Sequence, residues 1–271
     1  MGNKKIHFVK MHGLGNDYIY VDTALYPIEN PHEAAIAWSK PHFGVGSDGL
    51  ILIGRSPDAD FTMRLFNADG TEGQMCGNGS RCVGKFVYDR GLTTKTCVSL
   101  LTGAGIKMLD LAIGDDGKVA SVTVDMMEPI LDDSSQYLTS GDPLPEGVFV
   151  SMGCPHYVIF VDDITQVNLE KVGPKLEYHS RFPERCNIDF VQVREDGLRM
   201  RVWERGSGIT MACGTGACAT VVAAALTGRS ARCSRVIMDG GSAYVDWRES
   251  DNHIYLKGPA TTVFEGDIDL P

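Results

Sequence analysis

The feature of this chain that most restricts its fold is an internal repeat. The segment that begins at Met63, MRLFNADGTEGQMCGNG, aligns without a gap with the segment that begins at Met200, MRVWERGSGITMACGTG. Methionine, arginine, cysteine and two glycines keep their places, and one offset of 137 residues relates Met63 to Met200 and Cys76 to Cys213. Self-similarity at a fixed offset is the signature of a repeated architecture. We therefore expect two structural units of the same kind.

Each copy of the repeat is typical of a strand, a glycine-rich loop and a helix. Bulky residues alternate in the strand, and apolar residues recur at helical spacing after the loop. The second helix is so apolar that we expect it to be buried on all sides. Gly91 and Gly228 predict the two helix ends, because glycine readily adopts the left-handed backbone found after helix C-termini. The strand and helix segments are 61–66 and 81–90 in the first copy and 198–203 and 217–227 in the second.

Many candidate strands and few other helices surround the two copies. A hairpin turn is expected at Asp116-Gly117, and further helices are expected over 31–40 and 173–180. The pattern predicts an α+β fold in two pseudo-equivalent halves, each a curved, mainly antiparallel sheet around one central helix. The clearest further strands are 17–22, 49–55, 105–113, 118–126, 156–162, 188–193, 235–240, 243–248 and 253–258.

The composition excludes several classes of protein. The chain has 271 residues, of which 43% are hydrophobic and 22% are charged, and no apolar run approaches the roughly 18 residues of a membrane-spanning helix. A formal net charge of -10 argues against a nucleic-acid surface, which needs clustered lysine and arginine. The first residues, MGNKKIHFVKMHG, lack the apolar stretch of a secretory signal. We expect a globular cytoplasmic protein without membrane or nucleic-acid partners.

Two patterns have interpretations that the surrounding sequence does not support. GVGSDG at 44–49 satisfies the dinucleotide pattern GxGxxG, but a strand and not a helix is expected after it. The eight cysteines include no CxxC pair, so a zinc site is not indicated, and a reducing cytoplasm disfavours disulfides. No P-loop, HExxH or GxSxG motif occurs. We expect neither a metal nor a cofactor.

Cys76 and Cys213 each stand in Cys-Gly-x-Gly at the start of an expected helix. Unpaired N–H groups and the positive end of the helix dipole lower the pKa of a cysteine at this place and favour its thiolate. The same N–H groups can bind a carboxylate, and glycine lets the backbone approach a ligand closely. Inverting a stereocentre requires removing a proton from one face and delivering one to the other. The paired motifs predict a cofactor-free amino-acid racemase or epimerase in which these cysteines exchange the α-proton.

Further motifs match one protein family. They are MCGNGSRC, ACGTGAC, GNDY at 15–18, FNADG at 66–70, PHY at 155–157, NIDF at 187–190 and ERG at 204–206. With them the chain resembles the diaminopimelate epimerases over nearly its whole length. The resemblance implies cofactor-independent epimerisation of LL-2,6-diaminopimelate to meso-diaminopimelate, an isomerase reaction in lysine and peptidoglycan precursor biosynthesis. Proline racemases typically carry MCGHG and a DxxGH second half, which this sequence lacks.

The resemblance also implies a role for each matched residue. Cys76 and Cys213 form the acid/base pair, one as thiolate and one as thiol, while His156 and Glu204 tune the pKa values of the two cysteines. The backbone N–H groups that hold the reacting carboxylate are those of Gly77, Asn78, Gly214 and Thr215. The side chains that bind the amino groups and the distal carboxylate are Asn16, Asn67, Asn187, Glu204 and Arg205.

The domain organisation and the partners follow from the same resemblance. It implies two pseudo-symmetric, barrel-like domains, which cover 1–121 and 122–259, with residues 260–271 returning to the N-terminal half. Closure over the substrate would exclude water. A small-molecule amino acid is the expected partner. The sequence leaves the oligomeric state open, with a homodimer as the expectation.

Alternatives to this function stay open. Gly49 stands where the family often has glutamine, and Cys154 stands where it has asparagine, so a racemase of another amino acid, such as histidine or proline, fits the same scaffold. A non-catalytic amino-acid binding protein is a second alternative. A third is a thiol oxidoreductase that works through a reversible disulfide between Cys76 and Cys213.

The single residues also have plainer interpretations. His156 after a proline fits a loop histidine, and Glu204 with Arg205 fits a solvated ion pair. Cys82 and Cys218, inside the two expected helices, are assigned to core packing. Turn residues that bond to their own backbone are an alternative for Asn16, Asn67 and Asn187.

Overall fold

The structure is a computed structural model that describes residues 5–271. Residues 1–4, which the sequence assigns to the N-terminal half, lie outside the described residues. Within the described part, no helix is both long and apolar enough to cross a lipid bilayer. The chain divides into two units: the first ends at Val124 and includes Gly258–Pro271, and the second covers Asp125–Lys257.

The elements of the two units follow one another along the chain. The first unit contains β1 (Lys5–Gly13), β2 (Asn16–Asp22), α1 (Pro31–Ser39), β3 (Gly49–Gly54), β4 (Phe61–Asn67), β5 (Glu72–Gly73), α2 (Gly77–Asp89), β6 (Cys97–Thr102), β7 (Gly105–Ile113) and β8 (Val119–Asp125). The second contains β9 (Val148–Ser151), β10 (Pro155–Phe160), a 3₁₀ turn (Ile164–Gln166), α3 (Leu169–Glu177), β11 (Asn187–Arg194), β12 (Gly197–Glu204), β13 (Gly208–Ile209), α4 (Gly214–Leu226), β14 (Cys233–Met238), β15 (Gly241–Trp247) and β16 (Ile254–Gly258). The chain ends with β17 (Thr261–Asp269), which belongs to the first unit.

The two units repeat one order of elements and one pattern of pairing. In the first, β2 runs parallel to β3 and β4 runs parallel to β6. In the second, the equivalent strands β10 and β11, and β12 and β14, are also parallel. The other strand pairs within each unit are antiparallel, including β1 with β17 and β3 with β4. The predicted α+β fold with mainly antiparallel sheets is therefore confirmed.

The two helices of the repeat pack against the strands of their own units. Helix α4 packs against six strands, β9 to β12, β14 and β15, and its residues from Gly216 to Ala224 are buried. Helix α2 packs against β1, β2 and β7. Gly91 and Gly228 follow the two helices with φ of 69° and 67°, as predicted for C-terminal caps. The apolar sequence of α4 is explained by its burial on every face.

Some boundaries differ from the sequence-based prediction. Helices α2 and α4 begin at Gly77 and Gly214, earlier than predicted, because the cysteine before each provides the N-cap. Helix α3 is Leu169–Glu177 and not 173–180. Asn168 is the N-cap of this helix. Gly173 therefore lies inside the helix and not at its start, and the position requires glycine because a Cβ there would be 2.4 Å from the Trp203 ring. Strands β1, β5, β6, β9, β13 and β17 were not among the predicted elements.

Candidate active site

Cys76 is the residue that starts helix α2. Its backbone is extended, with φ -137° and ψ 117°, and its sulfur accepts a hydrogen bond from the Gly79 N–H at 3.3 Å. The Cys76 thiol donates to Asn16 Oδ1, also at 3.3 Å. Such a capping side chain satisfies one of the donors that a helix start leaves unpaired. Cys76 therefore lies at the helix N-terminus that its motif predicts, and the Asn16 amide is beside its sulfur.

Asn16 is oriented by a carboxylate that sequence reasoning missed. Asn16 Nδ2 donates to Asp48 Oδ2 at 2.7 Å, and the Asp17 N–H donates to the same oxygen at 3.0 Å. These bonds turn the amide oxygen of Asn16 toward the Cys76 thiol. The sequence held one signal for this contact. Asp48 directly precedes β3 and Asn16 begins β2, and because these two strands are parallel neighbours, the two residues lie at the same edge of the sheet.

The other two predicted asparagines of the first unit have partners close by. Asn67 Nδ2 donates to Thr71 Oγ1 at 3.0 Å, so Asn67 stabilises the turn after β4. Asn78 is 3% exposed, and its Oδ1 accepts from Arg81 Nη2 at 2.7 Å. The Asn78 side chain is thus directed into the protein. The roles of Asn67 and of the Gly77 and Asn78 N–H groups in substrate binding stay predictions.

Cys213 starts helix α4 in the same way. Its backbone has φ -118° and ψ 114°, and its sulfur accepts from the Gly216 N–H at 3.4 Å. Unlike Cys76, it is buried, with 6% exposure. Its sulfur lies 3.4 Å from Thr215 Oγ1. The two cysteines therefore occupy equivalent capping positions with different neighbours: an amide beside Cys76 and a hydroxyl beside Cys213.

A buried ion pair lies beside the start of α4. His156 and Asp189 are on the adjacent parallel strands β10 and β11, and His156 Nδ1 lies 2.7 Å from Asp189 Oδ2. The second ring nitrogen, Nε2, lies 2.9 Å from Thr215 Oγ1. Burial lowers the pKa of His156, but the charges of Asp189 and Cys154 and the hydrogen bonds to both groups together outweigh burial, and the pKa is raised to about 10. His156 is therefore an imidazolium at neutral pH.

Cys213 carries its proton in this environment. Burial and the Glu204 carboxylate raise the pKa of the Cys213 thiol well above its ordinary value. Burial also raises the pKa of Glu204, whose carboxylate accepts a hydrogen bond from the Thr210 hydroxyl. The prediction of a lowered pKa at the helix start is wrong for Cys213, because desolvation and acidic neighbours outweigh the helix dipole. A protonated thiol is the form that a general acid needs.

Asn187 and Arg205 belong to the framework around the pair. Asn187 is 6% exposed, donates from Nδ2 to Pro155 O at 2.9 Å and accepts from the Arg205 N–H at 2.8 Å. The Arg205 guanidinium donates to Glu184 O at 2.8 Å. These bonds join β11 to the end of β12 and to the start of β10. Binding of substrate by Asn187 and Arg205 stays a prediction.

Cys154 is a further thiol of the second unit that lies beside His156 and Thr215. Its sulfur lies 3.5 Å from both His156 Nε2 and Thr215 Oγ1. Burial alone would raise the pKa of Cys154, but the His156 imidazolium reverses this effect and lowers it. Cys154, His156, Thr215 and Cys213 are therefore linked by continuous polar contacts. No three side chains of histidine, cysteine, aspartate or glutamate within residues 5–271 form a group suited to a metal ion.

Solved structures of low sequence identity share the fold. A PhzF-family phenazine biosynthesis protein from Bacillus anthracis superimposes with a TM-score of 0.75 at 19% identity, covering 98% of this chain and 100% of the other. A hydroxyproline epimerase from Agrobacterium vitis superimposes with a TM-score of 0.73 at 15% identity, covering 100% of this chain and 93% of the other. The fold is thus the one shared by the PhzF proteins and the proline racemases and epimerases.

Sequence comparison is more specific. The family model described as diaminopimelate epimerase matches residues 8–131 and 148–263. A diaminopimelate epimerase of Bacteroides thetaiotaomicron is 58% identical over 267 residues, 98% of each chain. A diaminopimelate epimerase of Methanococcus maripaludis is 50% identical over 276 residues, which cover 97% of this chain and 99% of the Methanococcus chain. The chain belongs to the diaminopimelate epimerase family, whose members are isomerases.

Proposed function

We propose that this protein epimerises LL-2,6-diaminopimelate to meso-diaminopimelate without a cofactor, with Cys76 and Cys213 as the acid/base pair. The observation that carries the proposal is the capping of two equivalent helices by these cysteines, whose sulfurs accept the N–H of Gly79 and of Gly216. The family's name supports the substrate. The product would serve lysine and peptidoglycan precursor biosynthesis.

The mechanism removes one proton from the α-carbon and adds a different proton to the opposite face of the same carbon. A Cys76 thiolate takes the α-proton and becomes a thiol, the C–H electron pair is delocalised into the carboxylate, and the Cys213 thiol delivers its own proton to the carbon. In the reverse direction the two sulfurs exchange roles. The α-proton is only weakly acidic, so the growing carboxylate charge needs strong, preorganised donors. The helix-start N–H groups of Gly77, Asn78, Gly214 and Thr215 would supply them.

The cysteine roles are tested by single substitutions. We expect Cys76→Ala and Cys213→Ala each to abolish epimerisation, measured by separating the two stereoisomers of diaminopimelate. Cys97→Ala and Cys233→Ala are matched controls, because both thiols are exposed and lie on β6 and β14. The control variants should keep wild-type activity. Full activity in either catalytic variant would refute the two-cysteine mechanism.

A racemase of another amino acid is the second candidate, and Cys154 is the observation that favours it. A thiol there replaces the asparagine that the family often has. The Gly49 departure has a structural reason, because a Cβ at this position would lie 2.1 Å from Phe66 O. Deuterium incorporation from heavy water into diaminopimelate, proline and histidine distinguishes the candidates. Exchange with diaminopimelate alone supports the first, and exchange with only another amino acid supports the second.

A cytoplasmic location and a homodimer complete the proposal. Two reactive thiols must stay reduced, which a cytoplasm ensures, so oxidation to a disulfide should inactivate the enzyme. Val263 and Phe264 on β17 are 55% and 46% exposed, an apolar surface that fits a subunit contact. Sedimentation analysis should give twice the mass of the chain, and a purely monomeric protein would contradict the dimer.

A further inference from the structure

The repeat allows each residue of the second unit to be compared with its counterpart in the first. Asp189 lies opposite Val202 in the strand pair β11–β12. Ile51 lies opposite Leu65 in the pair β3–β4, and Leu65 is the repeat equivalent of Val202. The counterpart of the buried carboxylate in the second unit is therefore an isoleucine.

The contacts at the starts of α2 and α4 support independently that Ile51 and Asp189 are equivalent positions of the repeat. A Cβ on Gly79 of α2 would lie 2.7 Å from Ile51 Cδ1. A Cβ on Gly216, the equivalent position of α4, would lie 2.7 Å from Asp189 Oδ1. Ile51 and Asp189 thus pack beneath the same turn of their helices, close to the capping cysteine.

His156 also has an uncharged counterpart. In the parallel pair β10–β11, His156 lies beside Asn187, the first residue of β11. In the pair β2–β3, Tyr18 lies beside Gly49, the first residue of β3. At these two strand positions the first unit has Ile51 and Tyr18, whereas the second unit holds an ion pair. The carboxylate near Cys76 is Asp48, which binds Asn16 and not an imidazole.

Packing alone does not account for that ion pair. Both side chains are 0% exposed, and among residues 5–271 Asp189 Oδ1 has no hydrogen-bond partner. Removing two charges from water costs several kcal/mol per ion in general, and apolar residues of similar volume often replace a buried pair without loss of stability. The first unit contains such a replacement, so the charges of the second unit call for a functional reason.

The contacts of His156 connect the pair to Cys213. With both ring nitrogens protonated, Nε2–H donates to Thr215 Oγ1 at 2.9 Å, so the threonine oxygen is an acceptor in that bond. The hydroxyl proton of Thr215 is then free to be donated to a sulfur, and two sulfurs are within reach: Cys213 Sγ at 3.4 Å and Cys154 Sγ at 3.5 Å. Cys213 becomes the stronger acceptor of the two when it turns into a thiolate during the reaction. A neutral His156 with a bare Nε2 would attract the hydroxyl proton to itself. The titratable groups that act on His156 are Asp189, Cys154 and Glu204. Arg205 acts on Cys154, and Glu204, Asp189 and Cys154 act on Cys213.

We propose that Asp189 is a positioning residue of the reaction: it keeps both nitrogens of His156 protonated and thereby directs the Thr215 hydroxyl proton to the Cys213 sulfur. This inference rests on the proposed function and assigns a task to a carboxylate that touches no reacting atom. The hydroxyl donates to the sulfur when Cys213 becomes a thiolate on delivering its proton. This chain of contacts from Asp189 through His156 and Thr215 reaches Cys213 and not Cys76, whose sulfur has the Asn16 amide as its neighbour instead of a threonine hydroxyl.

The test is Asp189→Asn, which keeps the shape of the side chain and removes its charge. We expect kcat for diaminopimelate to fall on the order of 10²-fold, with KM changed much less, because the substrate does not touch this residue. The basic limb of the pH profile of kcat/KM should move to lower pH, since His156 then loses its proton at lower pH. Nitrogen NMR of the imidazole at neutral pH should show two protonated ring nitrogens in the wild type and one in the variant.

Two further variants complete the test. Thr215→Val keeps the backbone N–H and should lower kcat while the ring nitrogens of His156 stay protonated, which keeps the proposal testable if Asp189→Asn fails to fold. Val158→Ala, the strand partner of Asp189, is the packing control and should lose stability while keeping kcat and the pH profile.

The contradicting results are distinct from failure of the proposed function. Wild-type kcat in folded Asp189→Asn or in Thr215→Val would overturn the role of Asp189. So would an unchanged pH profile, or a loss of kcat that Val158→Ala reproduces. An active Cys213→Ala enzyme would instead overturn the proposed function itself.

Discussion

His156 Nδ1 lies 2.7 Å from Asp189 Oδ2, and both side chains are completely buried. This pair makes the two halves of the repeat chemically unequal, although their strands and helices follow the same order. The thiol of Cys76 donates to a neutral amide. Cys213 instead neighbours a hydroxyl that contacts an imidazolium. The two capping cysteines of the repeat therefore have different polar neighbours.

The raised pKa of His156 makes the folding stability depend on pH. Its folded value of about 10 lies above the ordinary 6.5, so this contribution is fully present below pH 6.5 and is lost as the pH rises through about 10. We expect the free energy of unfolding to fall more steeply from pH 7 to pH 10 in the parent protein than in His156→Gln. Both proteins should carry Cys154→Ser, because the lowered pKa of Cys154 acts in the opposite direction. Cys154 also contributes to the raised pKa of His156, so in this background the remaining rise is the part that Asp189 causes, and the loss of stability begins at a lower pH.

Urea unfolding at pH values from 7 to 10 measures this pH dependence, and the titration at pH 7 also measures the cost of losing the imidazolium. At pH 7, His156→Gln should reduce the free energy of unfolding by about 3 kcal/mol, because the Asp189 charge is left buried without its partner. Equal stability of the two proteins at pH 7, or parallel curves up to pH 10, would show that the pair is not ionised as described.

Adding a methyl group beneath the helix starts should affect the two units differently. Gly216→Ala places a Cβ 2.7 Å from Asp189 Oδ1, and Gly79→Ala places one 2.7 Å from Ile51 Cδ1. The isoleucine end can rotate away, whereas His156 holds the carboxylate. We expect Gly216→Ala to cost about 2–3 kcal/mol and Gly79→Ala about 1 kcal/mol or less, measured by urea unfolding. A larger cost for Gly79→Ala would contradict the rigidity of the pair.

Cys154 should be the thiol whose labelling depends on His156. The imidazolium lowers the pKa of Cys154 despite burial, whereas partial desolvation and a neighbouring aspartate, Asp110 or Asp246, raise the pKa of the largely exposed Cys97 and Cys233. At pH 7, iodoacetamide should therefore modify Cys154 before Cys97 and Cys233, as measured by peptide mass spectrometry, because the thiolate is the reactive form. In His156→Gln this preference should disappear. An unchanged order of labelling in that variant would rule out the proposed cause.

The repeat and its capping cysteines could be predicted from sequence because their signals are local. Cys-Gly-x-Gly before an apolar helix specifies a cap within four residues, and Gly91 and Gly228 specify the ends. Strands β1 and β17 were missed because they pair with each other across almost the whole chain, Lys5 with Asp269. Such a partner leaves little trace in the local pattern of a single strand.

The environment of the cysteines was beyond local reasoning. The start of α4 alone favours a thiolate at Cys213, but burial and Glu204 come from packing and from another strand. Asp189 stands in the apolar strand sequence IDFVQV, and only its pairing beside β10 gives the carboxylate a partner in His156. A charged residue within a buried strand was the one available signal.

The central claim, that one cysteine takes the proton and the other returns a different one, is tested most directly by a single turnover in heavy water. Excess enzyme converts LL-diaminopimelate, and mass spectrometry follows deuterium at the inverted carbon. We expect one deuterium in each meso product from the first turnover, with the unreacted LL isomer still carrying hydrogen. A meso product that keeps the hydrogen of its substrate would show that a single group does both transfers, and would contradict the two-cysteine mechanism.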